Sequence, residues 1–89
     1  MEVVPEERVE RVLEWYEKDP GEALVGEEVL TRLTLEDLRV LLRPSEDDPE
    51  MHLVYEVEPG EVERLQAYVD HRIDMGAHDY FVAAYRKAR

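Results

Sequence analysis

The sequence predicts an α+β domain: a small, mostly antiparallel sheet in the order β-β-α-β-α-β, with two helices on one face. Three observations lead there. Two stretches carry helix caps and a helical apolar spacing. The blocks around them are rich in β-branched and aromatic residues. Between them Pro and Gly fall at Asp19-Pro20-Gly21, Arg43-Pro44-Ser45, Asp48-Pro49, Glu58-Pro59-Gly60 and Met75-Gly76, leaving blocks of about ten residues.

The first block, Arg8 to Lys18, supports two readings. Val9, Val12, Leu13 and Tyr16 recur at i, i+3, i+4 and i+7, the spacing of a buried helical stripe, whereas Val12-Leu13-Glu14-Trp15-Tyr16 favours a strand and runs into a Pro-Gly turn. The next block, Ala23 to Thr31, is short and apolar at both ends. Joined by that turn, the two are read as a β-hairpin, with helix as the alternative for residues 8–18.

Thr34 opens the clearest helix. Its side chain suits an N-cap, Asp37 can close the capping box as a shorter substitute for Glu, and Leu35, Leu38, Leu41 and Leu42 share one face up to Pro44. The acidic loop Ser45 to Glu50 follows. His52 to Val57 is expected as a strand, with Leu53, Tyr55 and Val57 on one face and Val54 and Glu56 on the other. Pro59 suits the first turn of a second helix through Val62, Leu65 and Val69, ending near Asp70 or His71. Leu38, Leu41, Leu65 and Val69 are therefore expected in the core. Residues 79–86, aromatic and β-rich, make a closing strand, with helix again the alternative because Ala83-Ala84 and the basic end suit a helix C-terminus.

A chain of 89 residues supports one core, so residues 1–89 are read as a single domain, with residues 1–7 as a disordered N-terminal tail. The absence of cysteine removes disulfides and thiolate chemistry. Few amide side chains and many charges fit a heat-adapted host; nine arginines against two lysines equally fit a GC-rich genome. No run is long and apolar enough for a membrane span and the start lacks the pattern of a signal peptide, so a soluble cytoplasmic protein is expected.

The net charge is −12, and residues 1–50 hold six basic and 16 acidic side chains against five and seven in residues 51–89. Such a field repels phosphate backbones and anionic lipid, which argues against nucleic-acid and membrane binding. Its complement is a basic protein surface, and the plain alternative is that the acids serve solubility.

In the order of their blocks, Trp15-Tyr16-Glu17-Lys18-Asp19 with Leu24-Val25-Gly26-Glu27, then Leu33-Thr34-Leu35-Glu36-Asp37-Leu38, Asp47-Asp48-Pro49-Glu50-Met51, a helix, and Asp79-Tyr80-Phe81-Val82-Ala83-Ala84-Tyr85, the sequence resembles a family of short acidic bacterial proteins known only as a domain of unknown function. The likeness covers roughly residues 8–86. Where that family usually has Cys-Tyr-Pro after Asp-Asp-Pro, this chain has Leu53-Val54-Tyr55-Glu56-Val57. The resemblance implies the hairpin for the first two blocks and no activity.

The chain shows little catalytic equipment. Ser45, its one serine, lies beside a proline without a nucleophile-elbow context, and there is no glycine-rich phosphate loop. His71 and His78 stand seven apart across a glycine, too far for the short fixed spacing of a metal-ligand pair, and Asp70 and Asp79 are read as end-caps. Glu46 to Glu50 lacks the ligand pattern of a calcium loop. No enzyme activity, metal or cofactor is expected. On a strand, Trp15 and Tyr16 cannot both point inward, nor can Tyr80 and Phe81. An exposed ring among carboxylates makes an interface anchor, so Trp15, Glu46, Asp47, Asp48, Glu50 and Tyr80 are the candidate partner-binding residues. The function expected is a non-catalytic acidic protein-binding module, an immunity or antitoxin protein covering a basic toxin being its most concrete form. The alternative is a small accessory subunit of a larger enzyme or respiratory complex, and an enzyme or metal-binding protein comes third.

Overall fold

The computed structural model describes residues 9–18 and 23–86. The proposed tail at 1–7 and the Asp19-Pro20-Gly21 turn lie outside the described residues. Strands β1 (Val9–Glu17) and β2 (Leu24–Val29) are followed by helix α1 (Leu35–Leu42), strand β3 (Tyr55–Glu56), a 3-10 turn at Pro59–Glu61, helix α2 (Val62–Gln66) and strand β4 (His78–Arg86). Along the chain this is the expected β-β-α-β-α-β. Across the sheet the order is β2-β1-β4-β3, with every pairing antiparallel.

Both ambiguous blocks are strands, and they pair with each other over nine positions, from Val9 opposite Arg86 to Glu17 opposite His78. Alternation then divides their side chains. Leu13, Tyr80 and Val82 face the helices and form one core with Leu38, Leu41, Leu42, Leu65 and Val69, so the four helix residues expected to be buried are buried. Fully burying such a side chain is worth roughly 1.5–3 kcal/mol.

The local signals around α1 act as expected. Thr34 Oγ1 accepts from the Asp37 N–H at 3.1 Å and Asp37 Oδ2 accepts from the Thr34 N–H at 3.0 Å, closing the capping box. A cap of this kind is worth about 1 kcal/mol. Arg43 ends the helix at φ 52°, its N–H donating to the Arg39 carbonyl, and Pro44 follows.

Two elements are shorter than expected. The strand predicted for 52–57 is reduced to Tyr55–Glu56, because the Asp48 carboxylate accepts the N–H groups of His52 and Leu53, both at 2.9 Å, and so draws them into a loop. Met51 of that loop, at φ 54°, buries its side chain in the core, while Leu53, expected beside Tyr55 and Val57, is exposed. Beyond β3 one further bond, from Val57 N–H to the Tyr80 carbonyl, extends the pairing. The second helix ends at Gln66 rather than near Asp70. There the Gln66 side chain donates to the His71 carbonyl and accepts from the Ile73 N–H, while Glu28 of β2 accepts from the N–H groups of Asp70 and His71. These bonds hold the chain in an irregular return to β4 that turns Val69 and Ile73 into the core. No helix among the described residues is long and apolar enough to cross a membrane.

Candidate functional site

The two faces of the sheet are chemically different. Under the helices, the Trp15 indole stacks on His71, ring centroids 3.6 Å apart and planes 11° from parallel, and it packs on the core beside Tyr80. The Tyr80 hydroxyl accepts from the Asp74 N–H at 2.9 Å and lies 2.7 Å from His71 Nε2. The His71 tautomer sets which of the two donates. Burial, followed by the nearby His78, holds the His71 imidazole below its ordinary value.

Among the described residues, the outer face carries no helix. By register it bears Glu10, Val12, Glu14 and Tyr16 of β1, Glu27 and Val29 of β2, Asp79, Phe81, Ala83 and Tyr85 of β4, and Glu56 of β3. Glu14 sits at its centre and is only 4% exposed. Tyr16 donates to its Oε1 at 3.0 Å, and the Tyr85 hydroxyl donates to its Oε2. Tyr85 stands opposite Glu10, four places along β4 from the residue opposite Glu14, so its side chain must lean across the Val12–Ala83 pair between them. That explains why Val12 and Ala83 are buried on the outer face. The rings of Tyr16 and Phe81 meet edge to face, with centroids 5.6 Å apart.

Around this cluster runs a solvent-open groove of about 590 Å³, walled by Tyr16, Phe81, Tyr85 and Val54, with Glu14 at its floor and Glu17 and Asp79 at its rim. Lys18 reaches Asp79 at 3.0 Å, an exposed pair. Glu27 lies directly opposite Glu14 on the neighbouring strand. The hydrogen bond to Glu14 is the first cause that raises both tyrosines, with Tyr85 pushed up to about 12.

The residues singled out from sequence are not gathered in one place. Tyr80 is fully buried under the helices and Trp15 is half-buried on the same side, so the rings that alternation sends to the outer face are their neighbours Tyr16 and Phe81. Tyr80 is thereby corrected from partner anchor to core residue. Asp48 is corrected too: its carboxylate is buried and holds the loop through His52, Leu53 and the Tyr55 hydroxyl, the last at 2.5 Å. The Tyr55 hydroxyl, then the two backbone N–H groups, keep Asp48 below the usual carboxylate range; Tyr55 in turn is pushed up to about 12, mainly by burial. Glu46, Asp47 and Glu50 are exposed. The Glu50 carbonyl accepts from Arg11, which alternation places on the side of the sheet away from Glu14. Asp70 pairs with Arg32 at 2.6 Å, and Asp74 Oδ1 accepts from the Gly76 N–H. Sequence reasoning passed over Glu14 and Tyr85. The available signal was a glutamate in mid-strand within Val12-Leu13-Glu14-Trp15-Tyr16, flanked on both sides by residues that pack.

A family model matches residues 10–83, from the second residue of β1 into β4. The chain belongs to the family described as Domain of unknown function (DUF7683). The order of blocks in the sequence implied such a family. In this DUF7683 chain the matched stretch contains Glu14, Tyr16 and Phe81, and Tyr85 lies just beyond it. No curated protein matches the chain.

Proposed function

We propose that this chain is a non-catalytic, acidic protein-binding module that docks a basic protein on the outer face of its sheet. In its most concrete form it is an inhibitor of the immunity or antitoxin type, covering a basic enzyme such as a nuclease in the bacterial cytoplasm. The observation that carries the reading is the opposition of Glu14 and Glu27 on a face that no helix among the described residues covers, with Glu14 buried and satisfied by two neutral hydroxyls.

Like charges directly opposed across two strands destabilise a sheet, and a carboxylate removed from water without a cation costs more. Acids that serve solubility gain nothing from burial at the centre of a face. On a docking surface, a basic partner relieves the repulsion. The same face exposes Val29 and Tyr85 and half-exposes Tyr16 and Phe81, apolar area that a partner would cover. Acids around rings supply both steering and anchors.

The test starts with a pull-down from the native host and continues with association kinetics on the captured partner, at about 50 and 500 mM salt to bracket strong and weak screening. The partner should carry a net positive charge. Glu27→Gln with Glu56→Gln should slow association several-fold, whereas Phe81→Ala should mainly speed dissociation. Adding the chain in equal amount should abolish the partner's enzymatic activity. An acidic partner, or association indifferent to salt and to these acids, would overturn the reading and favour an accessory subunit.

A further inference from the structure

We infer that the outer groove is a receptor for one arginine side chain of the partner, its guanidinium lying against Phe81 and donating to the oxygens of Tyr16, Tyr85 and Asp79. The inference rests on the docking role proposed above and specifies its chemistry.

It follows from what the groove offers. A tyrosine hydroxyl has one proton, and Tyr16 and Tyr85 both give theirs to Glu14. Towards the groove they present lone pairs only, polarised by the carboxylate behind them. Glu17 and Asp79 add carboxylate oxygens at the rim, and Phe81 and Val54 add apolar surface. Among the described residues, the side chains lining the groove therefore hold acceptors and hydrocarbon but no free donor proton, and Lys18 beside the rim is paired with Asp79. An anion is repelled there, and a neutral amide would bring an acceptor to meet acceptors.

A guanidinium has five N–H donors, no acceptor and two flat, weakly hydrated faces. One face can lie on an aromatic ring while the edge donates to several oxygens. An ammonium is more strongly hydrated and has no flat face for Phe81. The groove is open to solvent, which suits a side chain projecting from a protein surface better than a small molecule that must be enclosed. Glu14 stays beneath the tyrosines and acts through its charge, so it is a positioning residue for the two hydroxyls.

The test is an NMR titration of the full isotope-labelled chain with the peptide acetyl-Gly-Arg-Gly-amide, beside versions with citrulline or lysine in place of arginine. The arginine peptide should shift resonances of Tyr16, Phe81 and Tyr85. Lysine should bind roughly tenfold more weakly, and citrulline, which keeps the shape without the charge, should leave the spectrum unmoved. Phe81→Ala should weaken the arginine peptide about tenfold. Asp79→Asn, at the exposed rim, should weaken it with the thermal midpoint unchanged, which keeps the test decisive if Phe81→Ala does not fold. Equal affinity for arginine and lysine, or shifts confined to residues 45–50, would overturn the groove assignment and leave the basic-partner reading intact. A polyarginine peptide that moves no resonance would overturn both.

Discussion

The indole of Trp15 occupies the space that a side chain at Gly26 would need: a Cβ built on Gly26 would stand 2.6 Å from Trp15 Cζ2. The two residues are cross-strand partners, beside an irregularity where the pairing passes from Trp15–Gly26 to Tyr16–Leu24. The glycine lets the ring lie close to β2 while it stacks on His71.

Gly26→Ala should therefore displace the ring. Overpacking of this kind destabilises by roughly 1–3 kcal/mol. Trp15 is the chain's one tryptophan, so its fluorescence reports the displacement directly. An unchanged emission maximum together with an unchanged thermal midpoint would show that the ring does not lie against β2.

Acid should weaken the fold through His71. Its imidazole is held low by burial, so the folded chain disfavours the proton that the unfolded chain accepts at its ordinary value of 6.5. The unfolded state then binds more protons, and stability present above about pH 6.5 is lost as pH falls towards the depressed native value. Urea unfolding at about pH 7.5 and 5.5 should show a drop for the wild type and a smaller one for His71→Gln. Equal drops would place the sensitive group elsewhere.

Alkali should act through the outer cluster with the opposite sign. Tyr85 is held up to about 12 by its bond to Glu14, so the folded chain keeps a proton that the unfolded chain releases near 10. Stability present below about pH 10 is lost as pH rises towards 12. In Glu14→Gln the titrations of Tyr16 and Tyr85 should move down towards 10 while Tyr55, held up by burial and Asp48, stays near 12. Tyrosinate absorbance checks this, and an unaltered titration would refute the coupling to Glu14.

In the core, Leu38→Ala should cost on the order of 2–5 kcal/mol, because the side chain is 1% exposed between α1 and the sheet. Val40→Ala, two residues away and 66% exposed, should stay within about 0.5 kcal/mol. Chemical denaturation of both variants measures the contrast. Similar losses would mean that the helix presents another face.

Legibility in the sequence followed the range of the forces involved. The capping box at Thr34 and Asp37 involves neighbours three apart, and it could be read directly. The block at 8–18 mixed two periods because Val12 and Leu13 are both buried, Leu13 beneath the helices and Val12 beneath Tyr85. A strand covered on both faces loses its alternation. For the same reason alternation could say that one ring of each aromatic pair points outward but not which one, since that depends on where the helices dock. The Asp48 carboxylate that shortens β3 acts across a turn, a contact with no periodic signature.

The central strands β1 and β4 stand far apart in the chain: Glu14 and Tyr85, joined by a hydrogen bond, are 71 residues apart. While the chain is being synthesised, β1 has only β2 to pair with, and an isolated two-stranded hairpin is marginal in water. Helix α1, with its local cap, can form early, but the face it must cover is half missing until β4 emerges from the ribosome. Closing so long a loop is entropically expensive and slow compared with local contacts. Folding of this sheet therefore waits for β4, and a ribosome stalled before residue 78 holds a nascent chain with Leu13 and Trp15 open to chaperones.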